Sequence, residues 1–265
     1  MKRFTNQSNG SQAGRMYNGG AIIRRFALFP LMLLMLLLLP AGMVAQKAAS
    51  SSKYIATYES STNTLTFKKN VGETLPKNSA WVEDKMTVAT IINNLGNGTI
   101  KHIVFDKSFS TYTPTSLSYF FNRLTKLETI TGLEYLNTEK VTDMSYMFSN
   151  CSSLTSLDVT HFNTANVTDM HYMFSSCVAL TSLYLTNFNT EKVTNMSYMF
   201  SNAAAFNQPI GGWNTSKVTN ANSMFSGATA FNQPISSWNV DSVTSWTYFR
   251  TNSPLTNANT PPKFL

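Results

Sequence analysis

The two cysteines are the residues with the clearest potential for covalent chemistry. Cys151 and Cys177 are the only cysteines in the chain, and they occupy the same place in two copies of a recurring segment. Later copies carry Ala203 and Ala228 there. A position that accepts cysteine or alanine favours a small buried side chain, so we predict free thiols. A disulfide is the alternative, because neighbouring copies bring the two positions close, although parallel side chains give poor bridge geometry.

The remaining polar residues do not form a recognisable catalytic or metal-binding pattern. None of the histidines, His102, His161 and His171, has a cysteine, histidine or carboxylate pair at ligand spacing. His171 stands where other copies carry serine, so we expect an exposed, variable position. The sequence contains no G-x-S-x-G motif and no glycine-rich phosphate loop. We therefore predict a protein that is not an enzyme and that has no cofactor and no metal.

A segment that recurs every 25 to 27 residues dominates the sequence. VTDMSYMFSNC at 141–151 returns as VTDMHYMFSSC at 167–177 and as VTNMSYMFSNA at 193–203. Apolar residues three or four positions apart within each copy predict a short helical turn. A fixed period of this length is typical of a solenoid, in which each repeat buries the apolar face of its neighbour.

The second half of each repeat predicts a short strand. LTSLDVTHFN at 154–163 and LTSLYLTNFN at 180–189 follow the L-x-x-L-x-L spacing, and AFNQPI variants follow at 205–214 and 230–239. Beside these strands each repeat carries an asparagine at the same position. We expect the side-chain amides to hydrogen-bond to the backbone of the bend and to one another. These residues are Asn137, Asn163, Asn189, Asn214 and Asn239. The predicted fold is a leucine-rich-repeat-like solenoid of about six repeats, with short parallel β-strands on one face and short helical or 3-10 turns opposite.

The chain divides into four predicted parts. Residues 1–45 read as a signal peptide, 46–99 as an N-terminal cap containing a β-hairpin, 100–250 as the solenoid, and 251–265 as a disordered C-terminal tail. The solenoid is expected to stop where Arg250 replaces a core phenylalanine.

The leader predicts export. Basic residues precede the apolar run at 26–39, and Ala45 supplies the small residue before a cleavage site. An uncleaved anchor over 26–45 is the alternative, as is translation from Met16. Most of the net charge of +7 comes from this leader. The residues after position 45 include 15 basic and 13 acidic side chains, so their net charge is +2. We therefore expect a secreted or cell-surface protein that binds no nucleic acid and whose mature form does not insert into a membrane.

Two exposed features could bind a partner. A tyrosine column at 119, 146, 172, 198 and 248 could form a stacking ladder, but partial burial with outward hydroxyls explains it more simply. The variable outward positions of the strands are the preferred protein-binding surface. The predicted ligand-binding residues are Lys101, His102, Glu128, Thr129, Thr155, Ser156, Asp158, Thr181, Ser182 and Tyr184.

The motif VT(D/N)MSYMFS-x-C-x-x-LTSL-x-(L/V)-T-x-FNT, followed by AFNQPI-x-x-WN, resembles the BspA-like leucine-rich-repeat surface proteins of bacteria, in particular those of Bacteroidota. The resemblance covers roughly residues 100 to 250 and implies a secreted or surface-displayed protein. Several relatives act as adhesins for host matrix proteins such as fibronectin and fibrinogen, or for other bacteria. The expected function is therefore surface protein–protein interaction or adhesion. The alternatives are an envelope spacer without a ligand and, in last place, a glycan-acting enzyme, which would need two converging carboxylates.

Overall fold

The computed structural model describes residues 54–72, 74–95 and 98–265. The predicted signal peptide at 1–45 and the start of the predicted cap at 46–53 lie outside the described residues. No helix within the described residues combines the length and hydropathy needed to cross a bilayer.

The N-terminal part is a mixed β-sheet with one covering helix. Strands β1 (Tyr54–Glu59) and β2 (Thr64–Lys69) form an antiparallel hairpin, and β3 (Ser79–Trp81) pairs antiparallel with the outer side of β1. Helix α1 (Val88–Asn94) begins at Thr87, whose hydroxyl accepts a hydrogen bond from the Thr90 N–H at 3.1 Å.

This sheet continues across the predicted boundary at residue 99. Strand β4 (His102–Phe105) pairs in parallel with β2, and β5 (Thr129–Thr131) pairs in parallel with β4, giving the order β3-β1-β2-β4-β5. Strand β2 of the hairpin is therefore the strand on which the first repeats build. Two further short strands, β6 (Ser156–Leu157) and β7 (Ser182–Leu183), form a parallel pair.

Four 3-10 helices complete the regular structure of the described residues. They span Lys107–Thr111, Leu133–Tyr135, Asn257–Asn259 and Pro262–Phe264.

Successive repeats are joined by a backbone ladder on the side away from these strands. Parallel bridges connect equivalent residues in the order Ser116, Asp143, Asp169, Asn195, Asn220 and Ser245. After each bridge, alternate N–H groups donate to the following repeat: Tyr146 N to His171 O at 2.9 Å and Phe148 N to Met173 O at 2.9 Å. We call this set of bonds the bridge ladder.

The segments that carry the bridge ladder, for which the sequence predicts short helical or 3-10 turns, are consecutive turns rather than a regular helix. Their local bonds run from N–H to the carbonyl three residues earlier, as from Ser149 N to Tyr146 O at 3.1 Å. Two residues in each repeat adopt positive φ, which a right-handed helix does not allow. These are Tyr119, Arg123, Tyr146, Asn150, Tyr172, Ser176, Tyr198, Asn202, Ser223, Gly227, Tyr248 and Asn252.

The apolar columns read from the sequence lie in the core. Both methionine columns and the phenylalanine column are buried through the central repeats. The valine that opens each repeat is buried as well. Trp213 and Trp238 take the place of Phe162 and Phe188 and are also buried, with stacked rings 6.2 Å apart. Like side chains therefore pack on like side chains from one repeat to the next.

The asparagine column does not link its own members, contrary to the expectation. Each side chain instead accepts a bond from the N–H two residues later, as Asn163 Oδ1 does from Ala165 N at 3.1 Å. The adjacent threonines make the link between repeats and are buried. Thr164 Oγ1 donates to Asn189 O at 3.0 Å and accepts from Asn189 N at 2.8 Å.

The short strands do not continue beyond β7. Pro209 and Pro234 lack the N–H that a further strand would need. Side-chain amides link these repeats instead, because Gln208 Nε2 donates to Thr181 O at 2.8 Å and Gln233 Nε2 donates to Asn207 O at 3.1 Å.

The C-terminal tail is ordered, so the prediction of a disordered tail was wrong. Arg250 does end the phenylalanine column, but its guanidinium donates to Leu255 O and to Asn257 Oδ1, both at 2.6 Å. Lys263 Nζ donates to three carbonyls of the last repeat, and Phe264 stacks on Trp246 at 5.5 Å. The tail therefore covers part of the last repeat.

Thr164→Val should destabilise the protein, because the N–H and the carbonyl of Asn189 lose the hydrogen-bond partner that the buried Thr164 hydroxyl provides. We expect a loss of about 1–3 kcal/mol in the free energy of unfolding, measured by denaturant titration. Val240 occupies the same column in a later repeat and is buried there, so the valine side chain fits the site. The control is Thr168→Val, at an exposed threonine whose hydroxyl donates to Thr142 O at 3.2 Å, where we expect a loss below about 0.5 kcal/mol. Equal losses in the two variants would contradict the role given to the buried column.

Candidate functional site

The ten predicted ligand-binding residues lie on and beside β4, β5, β6 and β7, and we call this surface the strand face. All ten belong to three lateral rows, because equivalent positions of paired strands lie in register. His102 stands opposite Thr129, and Ser156 opposite Ser182. All ten side chains are exposed or half-buried. The rows are Lys101, Glu128, Thr155 and Thr181; His102, Thr129, Ser156 and Ser182; and Asp158 and Tyr184 with Thr131, which the sequence prediction did not include.

Polar groups at one end of the strand face are paired with each other. Lys101 Nζ lies 2.9 Å from Glu128 Oε1, and this hydrogen bond lowers the pKa of the Glu128 carboxyl. His102 Nδ1 lies 2.9 Å from Thr129 Oγ1. Because Lys101 and Glu128 are both solvent-exposed, their ion pair adds little to the stability of the fold and can open to a ligand.

The other end of the strand face, beside β6 and β7, offers one carboxylate and one aromatic ring. The Asp158 carboxylate accepts bonds from the Thr160 hydroxyl at 2.6 Å and the Thr160 N–H at 2.9 Å. Those bonds lower the pKa of Asp158, so the side chain is charged at neutral pH. Tyr184 is 57% exposed and is the largest side chain on this face.

Both cysteines are free and fully buried. Each thiol donates to a backbone carbonyl of the preceding repeat: Cys151 Sγ to Phe121 O at 3.1 Å and Cys177 Sγ to Phe148 O at 3.0 Å. Burial raises the pKa of the Cys151 thiol well above its usual value and that of Cys177 to about 12. Neither thiol is therefore available as a nucleophile near neutral pH.

His171 stands at a position that varies between repeats, as expected, but it is half-buried rather than exposed, so that part of the expectation was wrong. Its side chain is partly buried, with Nδ1 2.6 Å from Asp169 Oδ1 and its ring edge-on to Tyr146 at 4.9 Å. In the neighbouring repeat, Ser197 Oγ donates to Asn195 Oδ1 at 2.8 Å. His171 and Ser197 therefore each hydrogen-bond to the side chain two residues earlier, Asp169 or Asn195.

Four tyrosines form a continuous stack on the surface of the bridge ladder. The rings of Tyr119, Tyr146, Tyr172 and Tyr198 lie 4.3–4.5 Å apart, with interplanar angles of 5–8°. Their mutual contact covers the inner faces, so they present edges and hydroxyls to solvent. Ser223 interrupts the column, and Tyr248 beyond it is 67% exposed.

A groove of about 520 Å³ runs beside the stacked tyrosines, and we call it the tyrosine groove. Three columns of residues line the groove, and the stacked tyrosines are the first. The second column is Asn122, Ser149, Ser175 and Ser201, and the third is Arg123, Asn150, Ser176 and Asn202. The groove contains no carboxylate and one cation. Reasoning from the sequence missed it, although these two polar columns recur in the same repeats as the tyrosines.

Parallel repeats joined by one backbone ladder define the class of the protein as a repeat protein. A family model described as "Mycoplasma protein of unknown function, DUF285" matches residues 97–184 and 158–261. Together these matches cover more than half of the chain, so the chain belongs to the DUF285 family.

A crystal structure of a leucine rich cell surface protein from Faecalibacterium prausnitzii A2-165 is similar in outline. The similarity covers 77% of this chain and 54% of that chain, with 18% sequence identity and a TM-score of 0.40. This chain thus spans about half the length of that protein. No curated protein matches the sequence.

The buried thiols yield a prediction about reactivity. In the folded protein at pH 8 neither cysteine should react with iodoacetamide over an hour, because both are buried and burial raises the pKa of both thiols well above the usual value. In guanidinium chloride without reductant both should be labelled, as counted by mass spectrometry. Failure to label the unfolded, unreduced protein would indicate a disulfide and contradict the free-thiol assignment.

Proposed function

We propose that this DUF285 protein is an exported, non-enzymatic solenoid of about six leucine-rich-repeat-like repeats that binds other proteins at the cell surface. An adhesin for host matrix proteins or for other bacteria is the form of this function that the BspA-like sequence motif favours. The observation that carries the proposal is the strand face, where the variable residues of successive repeats fall in lateral rows on one exposed surface.

The chemistry of the strand face suits recognition of a polar protein surface. It combines the Asp158 carboxylate, an exposed Lys101–Glu128 ion pair and the Tyr184 ring with small hydroxyl side chains. Tyrosine is enriched among residues that dominate binding energies, because its large ring has few rotatable bonds and ends in a hydroxyl. Tyr184 is therefore the expected anchor, and the surrounding hydroxyls provide hydrogen bonds.

The absence of enzymatic activity belongs to the same proposal. The two thiols are buried and protonated, and the described residues hold no cluster of three or more histidine, cysteine or acidic side chains that could bind a metal. The carboxylates Glu128 and Asp158 are engaged with Lys101 and Thr160, respectively. A glycan-acting enzyme would need two such carboxyl groups facing each other, one as the general acid and one as the base or nucleophile.

A spacer without a dedicated ligand is the second candidate, and one observation favours it. Most polar groups of the strand face already bond to each other or to the neighbouring backbone, as Thr181 Oγ1 does to Thr155 O at 3.2 Å. Such a surface gains less from a new partner, because existing bonds must first break.

Adhesion assays on strand-face variants separate the two candidates. Protein recovered from the medium or surface of the producing cells should adhere to immobilised matrix proteins or to partner bacteria. Tyr184→Ala should weaken this adhesion at least tenfold, since an anchor residue contributes about 2 kcal/mol or more. Asp158→Ala should weaken it less.

The control for Tyr184→Ala is Tyr248→Ala, which removes another exposed tyrosine outside the strand face. Tyr248→Ala should leave adhesion unchanged. Wild-type protein that adheres to none of these surfaces would favour the spacer. Adhesion that survives both strand-face variants would show that another surface binds, and recovery of the protein only from the cytoplasm would contradict export.

A further inference from the structure

We propose that the tyrosine groove is a binding site for a neutral oligosaccharide, separate from the strand face. The groove is open and elongated, because it follows four stacked repeats and is lined by the same three columns in each. Its volume of about 520 Å³ falls in the range of sites that hold small ligands. A short segment of a linear polymer fits this shape better than a compact ligand.

The groove carries too few charged side chains to bind a polyanion or a polycation. Arg123 is its only charged lining residue, and it lies in the first of the four repeats. A polyanion such as a nucleic acid is held by several cations along its length, and a polycation by several carboxylates. The hydroxyls of Tyr146 and Tyr172 also remain neutral, because partial burial and then the neighbouring tyrosines raise the pKa of both, that of Tyr172 to about 12. The ligand should therefore carry no charge over most of its length.

The lining offers the donors and acceptors that sugar hydroxyls need. Phenol hydroxyls, serine hydroxyls and asparagine amides can each donate or accept, and they recur at the spacing of the repeats. The edges of four stacked rings add a continuous apolar strip against which the carbon skeleton of a sugar can rest.

One side-chain atom in the groove lacks a partner. Asn122 Oδ1 is buried and accepts no hydrogen bond, and among the described side chains it is the one oxygen or nitrogen in that condition. A buried acceptor without a donor is costly and calls for an explanation. Asn122 lines the groove beside Arg123 at the position that serine holds in the next three repeats, so a rotation of its side chain would bring the free acceptor to a ligand hydroxyl.

A peptide ligand is less compatible with the same geometry. Extended peptides bind mainly through backbone hydrogen bonds to a free edge. The backbone N–H groups of the lining residues are already used, either in the bridge ladder, as from Tyr146 N to His171 O, or in local turns, as from Ser149 N to Tyr146 O. The groove therefore offers side chains but no backbone N–H for a peptide to pair with.

The extent of the groove follows from two substitutions in the fifth repeat. Ser223 replaces the tyrosine, and Gly227 replaces the residue of the third column. A side chain at Gly227 would collide with Asn202, because a Cβ there would lie 2.3 Å from Asn202 Oδ1. The tyrosine column and the third column of the groove thus stop at the same repeat, which restricts the site to four repeats.

The test is isothermal titration of the full chain with cellohexaose, chitohexaose and maltohexaose. We expect saturable binding of at least one of the three. Tyr146→Phe combined with Tyr172→Phe keeps the ring stack and removes two hydroxyls, and it should weaken that binding at least tenfold. Asn122→Ala should also weaken it without lowering stability, because its Oδ1 has no partner to lose.

Two controls distinguish this site from the proposed protein-binding surface. Tyr248→Phe alters the same column outside the groove, and Tyr184→Ala alters the strand face; both should bind the sugar as the wild type does. The proposal is overturned if none of the three sugars binds, or if the groove variants bind as tightly as the wild type. Loss of protein adhesion in the groove variants without any sugar binding would instead assign the groove to a protein ligand. Loss of adhesion in Tyr184→Ala alone bears on the proposed function and leaves the sugar site intact.

Discussion

The bridge ladder is the constraint on which the rest of the structure depends. In each turn segment, alternate N–H groups all point to the following repeat, while the intervening carbonyls receive bonds from the preceding repeat. This polarity requires two residues per repeat in the left-handed region, where a bulky side chain is strained. The strain is tolerated because the bonds on both sides fix the same conformation.

The direction of the tyrosine side chains follows from that conformation. Left-handed backbone at Tyr146 and its equivalents turns the ring out of the core, while Met147 and Phe148 beside it point inward. Equivalent rings of adjacent repeats then stack face to face at 4.3–4.5 Å. One backbone arrangement therefore produces both the buried methionine and phenylalanine columns and the exposed aromatic strip beside the groove.

The repeat period allowed much of this structure to be predicted from sequence. A column of identical residues fixes which side chains meet, so the buried methionines, phenylalanines and tryptophans and the parallel order of the strands followed from alignment alone. Apolar spacing of three and four residues did not distinguish a helix from a series of turns, because both place such residues on one side. Tyrosine gave no local sign of positive φ, since that conformation is imposed by the neighbouring repeats.

Polar side chains were harder to predict for a related reason. Composition alone could not show that Thr164 rather than Asn163 links repeats, or that Arg250 and Lys263 would hold a tail rich in proline and asparagine. Those outcomes depend on which carbonyls the backbone leaves free. The columns of the tyrosine groove were visible in the sequence, but their convergence on one surface depended on the left-handed residues.

Amide hydrogen exchange, resolved by residue, tests the bridge ladder most directly. The N–H groups of Tyr146, Phe148 and Asn150 donate to the next repeat and should exchange slowly. Within the described residues, no acceptor faces the equivalent N–H groups of Tyr248, Arg250 and Asn252 in the last repeat, which should exchange rapidly. Slow exchange in the inner repeats with fast exchange at the last is the predicted result. Fast exchange at Tyr146, Phe148 and Asn150 would contradict the account.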